Sequence, residues 1–247
     1  MSYALTFDGS YEGFLCVVYA YYYEKISPLN IQTEGEFQQL LDTEEYYIAT
    51  DYKKAARVQA GIRKKISAKA GEYLACAFLA ADEERYMHMF RYIVLGFKVG
   101  AMVDNHLQQD YVTGVHKRAR YVSREAHLLC GFCRFAETKA GVFYCEISPV
   151  NNVLPILAEH FKDRMMNQAW LIHDKKRNQA AAYDGNRYVI SNVPKHVGKE
   201  VEYAEKEAQI QDLWRCFFNV LAIEERKNKK LQRNMLPLHF RKWMTEF

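Results

Sequence analysis

The stretch "REAHLLCGFCRFAETKAGVFYCEI", Arg124–Ile147, is where the hydrophobic period of the chain changes. Up to Leu129 it continues a stripe of Leu107, Tyr111, Val115, Ala119, Val122 and Ala126, the three-and-four spacing of one helix face. After Gly131 the pattern becomes alternating: "FCRFAE" and "VFYCEI" flank the turn residues "TKAG", which reads as a β-hairpin. A helix of about Asp104–Leu129 therefore runs into a sheet.

The same contrast extends outward in both directions. Downstream, "WLIHD", "NQAAAYDG" and "NRYVISNV" alternate around turn residues like a meander, after an amphipathic "NNVLPILAEHFKDRMM". The stretch "KEVEYAEKEAQIQDLWRCFFNVLAIEERK" returns to helical spacing. Upstream, "YALTF" reads as a strand, and Asp8 or Ser10 caps a helix carrying Phe14, Leu15, Val18 and Tyr22 on one face. "EYYIATD" reads as a second strand, ending where Thr50 or Asp51 caps a basic helix. In that helix Val58, Ile62 and Ile66 recur every fourth residue. Breaks are expected near Gly71, at "ADEE" and around Gly96–Gly100. The predicted class is α+β, long helices packed with a small antiparallel sheet over about residues 131–193. One compact domain is expected, divisible into a mainly helical lobe of residues 1–104 and a lobe of residues 105–247.

The net charge of +4 conceals strong segregation. Lys53–Lys69 holds seven basic residues and no acid, Arg226–Lys242 another seven and no acid, and Thr113–Lys139 six against Glu125 and Glu137. Acids gather at Glu34–Glu45, Asp82–Glu84 and Glu200–Glu207. Such local fields suit a polyanion, and the alternative is a set of solvated helix faces. On the long helix His116, Arg120, Arg124 and His127 share a face, flanked by Lys117 and Arg118, with Arg134 in the strand beyond. With Lys64, Lys65, Arg226, Lys227, Lys230 and Arg233 they are the candidate phosphate contacts. Tyr111, Tyr121 and Phe132 are candidate stacking surfaces for unpaired bases.

The cysteines raise a different chemistry. His127, Cys130 and Cys133 have ligand-like spacing, but a structural zinc site needs a fourth ligand and the second pair is missing. With a two- or four-residue hairpin loop, Cys133 lies opposite Glu146 and Cys145 pairs with Arg134 on the other sheet face; a three-residue loop reverses that. A redox C-x-x-C belongs at a helix N-terminus, whereas here a helix ends. Cys130 and Cys133 are read as packing residues, with metal binding the minor alternative. Catalytic motifs are sparse. There is no P-loop, G-x-G-x-x-G, G-x-S-x-G or H-E-x-x-H, and no cofactor is implied. His127 and the pair His173 and Asp174 are the catalytic candidates, Asp174 serving equally well as a turn residue. The N-terminal "MSYALTFDGS" has no basic region before an apolar core, and a cytoplasmic protein without a membrane span is expected.

Several ordered motifs also carry a family resemblance: "FDGSYEGFL" at Phe7–Leu15, "TDYKKAARVQAGIRKKIS" at Thr50–Ser67 and "REAHLLCGFCRF" at Arg124–Phe135. "VLPILAEHFKDRM" at Val153–Met165, "WLIHDKKRNQAAAYDG" at Trp170–Gly185 and "IEERKNKKLQRNMLP" at Ile223–Pro237 continue it. The chain resembles a bacterial family of DNA-repair or DNA-metabolism proteins built around a domain of unknown function. Its members are encoded beside a radical-SAM DNA repair or modification protein, or fused to a uracil-DNA-glycosylase-like module. The resemblance implies a Gly-Phe-x-Arg-Phe pattern around Arg134 that does not require Cys130 or Cys133. It also implies DNA and a radical-SAM protein as partners, and the expected function is a nucleic-acid-binding accessory protein in DNA repair or modification. The alternatives are a DNA-processing enzyme, a nuclease or base-removing activity, and a pure protein-interaction subunit.

Overall fold

The computed structural model describes residues 2–34, 44–194 and 201–247. It is an α+β protein, and its chain divides into two units, residues 1–123 and 124–247.

The first unit begins with β1 (Ser2–Phe7), flanked by β2 (Ser27–Thr33) and β3 (Glu44–Tyr47), both parallel to it. Helix α1 (Tyr11–Tyr19) leaves β1 through the corner "FDGS". Asp8 accepts hydrogen bonds from Ser10 N (2.9 Å), Ser10 Oγ (2.6 Å) and Thr50 Oγ1 (2.8 Å). Ser10 Oγ in turn caps the helix by accepting from Gly13 N at 2.9 Å. Gly13 is required here, because a Cβ would lie 2.4 Å from Asp8 Oδ1. The helix then widens into a π-helical turn, Ala20–Glu24, which ends at Lys25 with φ +64°.

Helix α2 (Tyr52–Lys65) is capped by Asp51, whose Oδ1 accepts from Lys53 N and Lys54 N at 2.8 and 3.1 Å. Its predicted stripe is the buried one: Val58, Ile62 and Ile66 all lie in the core. Burying each is worth about 1.5–3 kcal/mol, which anchors a helix whose other faces are cationic. Helices α3 (Ala68–Phe78) and α4 (Arg85–Val99) follow, the break falling at Ser67, which caps α3, and not at Gly71, which is buried inside it. Gly96 likewise sits within α4, whose end is Gly100 at φ +66°.

Helix α5 (Asp110–Phe132) contains the unit boundary. Val112, Val115, Ala119, Val122, Ala126 and Leu129 form its buried stripe, while Leu107 precedes the helix and is exposed. In the second unit the sheet order is β4 (Ala136–Glu137), β5 (Phe143–Ile147), β6 (Trp170–Asp174), β7 (Gln179–Tyr183) and β8 (Tyr188–Asn192). The hairpin and the meander are antiparallel as expected, but β5 and β6 run parallel, joined by the crossover helix α6 (Leu154–Arg164). The sheet is therefore mixed, not wholly antiparallel; α6 between two strands is the βαβ connection that parallel pairing requires. Helix α7 (Glu207–Leu221), α8 (Lys229–Met235) and α9 (Leu238–Arg241) complete the chain. The first two residues of the helical stretch expected from Lys199, and most of the acidic stretch Glu34–Glu45, lie outside the described residues.

Candidate nucleic-acid interface

A cavity of about 540 Å³ in the first unit is walled by three elements. From α2 come Arg57, Val58, Gly61 and Lys65, with 57, 61 and 65 on one side of the helix. Helix α4 supplies Val94, Phe97 and Lys98, and the π-helical turn supplies Tyr21, Tyr22 and Tyr23. Tyr22 meets Phe97 edge-on at 5.4 Å, and Tyr21 meets Phe90 of α4 at 5.1 Å. The wide π turn, of a kind often found at functional sites, thus directs three successive tyrosines into one place. Gly61 keeps the α2 wall low, since a Cβ there would touch Phe97 Cζ at 3.5 Å.

Cations ring these aromatics. The Arg57 guanidinium lies 4.6 Å from the Tyr23 ring centroid and Lys65 Nζ 5.8 Å from that of Phe97. Tyr23 stacks on Tyr19 at 4.3 Å, and Lys54 covers Tyr19 at 5.1 Å. Lys54 is paired with Glu24, but Arg57, Lys65 and Lys98 are exposed and form no ion pair among the described residues. The cavity lining includes no carboxylate. Burial pushes the Tyr22 hydroxyl up to about 12, so it is a neutral donor and acceptor at physiological pH.

The other predicted contacts fare differently, and the deciding factor is whether a carboxylate reaches them. Lys64, Lys117 and Arg120 are exposed in the first unit. His116 is engaged by Asp104 Oδ1 at 2.8 Å, which also accepts from Tyr92 at 2.7 Å, and its ring packs on Tyr73. Arg118 grips Asp82 in bidentate fashion and also donates to His88 Nδ1 at 2.9 Å. Burial and the adjoining Arg118 charge hold the His88 pKa below its ordinary value. A Cβ on Gly114 would fall 2.2 Å from that same His88 nitrogen, so only glycine leaves room for the Arg118–His88 contact.

In the second unit Arg124 and His127 are exposed, as are Arg226, Lys227, Lys230 and Arg233. Arg134 is held by Glu246 (Nε–Oε2 3.1 Å), lies over Trp214 at 5.2 Å and donates to Gly131 O. Glu246 also accepts from Trp214 Nε1 at 3.0 Å. His173 and Asp174, neighbours on β6, point to opposite faces of the sheet. Asp174 accepts from Lys176 N, Arg177 N and Arg177 Nη1, holding the turn after β6. His173 belongs to a chain of bonds: Tyr144 donates to Glu146 Oε1 (2.8 Å), so His173 Nδ1–H donates to the Tyr144 oxygen (2.9 Å). That tautomer leaves Nε2 an unprotonated lone pair, with no partner among the described residues. The side chain is fully buried, and burial lowers its pKa, so the imidazole is neutral but sealed from substrate.

The cysteine geometry corrects one expectation. Thr138 N bonds to Val142 O, leaving Lys139–Gly141 as a three-residue loop with Gly141 at φ +74°. Ala136 pairs with Tyr144 and Glu137 with Phe143, the parity of a three-residue loop, while Cys133 precedes that ladder with its N–H bonded to Leu129 O at the end of α5. The neighbouring Cys145 thiol, together with burial, raises the Cys133 pKa. Cys130 is also raised, by burial. Cys130 and Cys133 are protonated, packed thiols. Among the described residues no group of three His, Cys, Asp or Glu side chains is disposed to hold a metal.

A family model for a domain of unknown function, DUF4130, matches residues 83–246. The chain belongs to the DUF4130 family. No curated protein matches it. The DUF4130 segment takes in the whole α4 wall of the cavity and nearly all of the second unit, while Tyr21–Tyr23 and α2 precede it. Sequence reasoning missed the tyrosines, treating Tyr22 only as part of an apolar helix face. The available signal was "YAYYYEK", too many consecutive aromatics for one face of an α-helix. No described helix is long and apolar enough to cross a membrane.

Proposed function

We propose that this protein binds nucleic acid through the first unit, as an accessory factor in DNA repair or modification. The observation that carries the reading is the rim of the cavity, where Arg57, Lys65 and Lys98 stand exposed without carboxylate partners among the described residues. Binding a phosphate at Arg118 or Arg134 means breaking an ion pair, and at His116 a hydrogen bond to Asp104. The rim cations meet phosphates at no such cost, and releasing the polymer's condensed counterions favours the complex. Lys53, Arg63 and Lys64 extend the positive surface along α2. DNA as the polymer, a bacterial setting and a radical-SAM protein as partner are drawn from the motif resemblance, and the cytoplasmic setting from the N-terminal sequence. The test is fluorescence anisotropy with single-stranded and duplex DNA: affinity is expected to fall steeply between about 50 and 200 mM salt. A flat salt response, or no binding at low salt, refutes the proposal.

A second reading, a protein-interaction subunit, is favoured by α7. Ile210, Leu213, Phe217, Val220 and Leu221 are all more than half exposed along that helix, leaving an apolar surface uncovered within its unit. Under this reading co-purification with the radical-SAM protein survives nuclease and high salt and is lost in Val220→Glu. Co-purification that disappears on nuclease treatment refutes it.

A further inference from the structure

We propose that the cavity between the π-helical turn, α2 and α4 receives one unstacked nucleobase, with the adjoining phosphates on Arg57, Lys65 and Lys98. This rests on the nucleic-acid reading above and names the part of the polymer that is bound.

Three features of the site converge on that ligand. Its interior is aromatic, lined by the part-buried Tyr22 and Phe97 and by Tyr23, half exposed. Its polar groups are unengaged: the hydroxyls of Tyr21, Tyr22 and Tyr23 have no hydrogen-bond partner among the described residues. Three phenols of this kind offer both donors and acceptors to the edge of a base. Its charge is confined to the rim and is entirely positive. A flat heteroaromatic ring bearing phosphate satisfies all three features. An acidic peptide would use the rim cations and leave the aromatic interior empty.

The topology also selects the strand form. Bases of a duplex are paired and stacked, so none can enter such a cavity without leaving the stack. A single strand offers its bases without that cost, and stacking on aromatic rings or guanidinium planes is tolerant of base identity. Arg57 is placed for both roles, its guanidinium lying over Tyr23 while its charge faces the rim. Little sequence preference is therefore expected, together with a strong preference for single-stranded over duplex DNA.

The test compares a fluorescent strand of thymidines with a strand of equal length whose bases are replaced by abasic tetrahydrofuran units. Both carry the same phosphates, so charge alone binds them equally. At about 50 mM salt the thymidine strand is expected to bind about 10-fold more tightly. Tyr23→Ala should remove that difference and Tyr23→Phe retain it, while Lys98→Gln should weaken both strands alike. Tyr23 is 52% exposed, so the unit should stay folded, as a circular dichroism melt would verify. Equal binding of the two strands by the wild-type protein, or a preference that survives both Tyr23→Ala and Phe97→Ala, overturns the base site and leaves the polyanion reading standing. If neither strand binds, the polymer reading falls instead. Thymidine monophosphate then decides the source: a thermal shift abolished in Tyr23→Ala supports the base site for a free nucleotide, and no shift overturns it.

Discussion

Replacing Lys65 by glutamine tests whether the rim cations neutralise phosphates. Lys65 is the last residue of α2, exposed, with its ammonium 5.8 Å from the Phe97 ring centroid and no ion pair among the described residues. The substitution keeps the stem and the helix propensity and forfeits at most about 0.5–1 kcal/mol of cation–π attraction. For a single strand the logarithm of affinity falls with that of salt by about 0.7 for each phosphate neutralised. Three rim cations give a slope of about −2, or about a 20-fold loss of affinity between 50 and 200 mM salt. Lys65→Gln should lower the slope to about −1.4 and the loss to about 7-fold. If Lys53, Arg63 and Lys64 also contact the strand, both slopes steepen, and the difference of about 0.7 remains. The assay is an anisotropy titration of a thymidine strand across that salt range. Lys162→Gln, which removes a lysine already paired with Glu159 at 2.9 Å, serves as the control and should leave the slope unchanged. An unchanged slope in Lys65→Gln, against a wild-type slope near −2, refutes the assignment of Lys65 to a phosphate.

Three further substitutions probe the scaffold. Gly96→Ala introduces a Cβ 2.4 Å from Ile66 Cδ1 and 3.1 Å from its Cγ1, where α4 crosses the end of α2. The overpacking costs about 1–3 kcal/mol, partly offset by about 1 kcal/mol of helix propensity, and a denaturant midpoint at or above wild type would refute the contact. Glu125→Ala removes the acceptor of Val150 N (2.7 Å), Asn151 N (2.9 Å) and Asn151 Nδ2 (2.7 Å), so a loss of about 2–4 kcal/mol is expected in chemical denaturation. A loss under about 0.5 kcal/mol, as at an ordinary surface position, would count against it. At Glu246 burial pushes the pKa up, but hydrogen bonds from Arg134 and Trp214 outweigh it and the net value lies below the ordinary one. Its contribution is therefore fully present above the unfolded value of about 4.3 and is lost as pH falls through the lower folded value. Glu246→Gln should be less stable at pH 7 and show a flatter stability profile below about pH 4, read from tryptophan fluorescence; an identical acid profile refutes the pairing.

Local sequence determined the elements and their faces. The four-residue recurrence of Val58, Ile62 and Ile66 dictates which side of α2 is buried, and the valine–alanine stripe does the same for α5. Asp51 and Ser10 fix helix starts because their side chains cap amides two or three residues away. The alternation after Gly131 gives the hairpin and the meander. All of these depend on interactions within a turn or two of the chain.

Tertiary structure decided the rest, because those outcomes depend on distant partners. A loop of three residues instead of two or four inverts strand parity, and Cys133, at the end of α5, lies beside Cys145. Strand direction across β5 and β6 is set by the α6 crossover and not by any residue within either strand. Whether a cation is free depends on carboxylates far along the chain. Arg118 meets Asp82 36 residues away, and Arg134 meets Glu246 112 residues away. Arg57, Lys65 and Lys98 meet none among the described residues. The triple tyrosine becomes a cavity wall only because α2 and α4 close around it, a juxtaposition that no local period encodes.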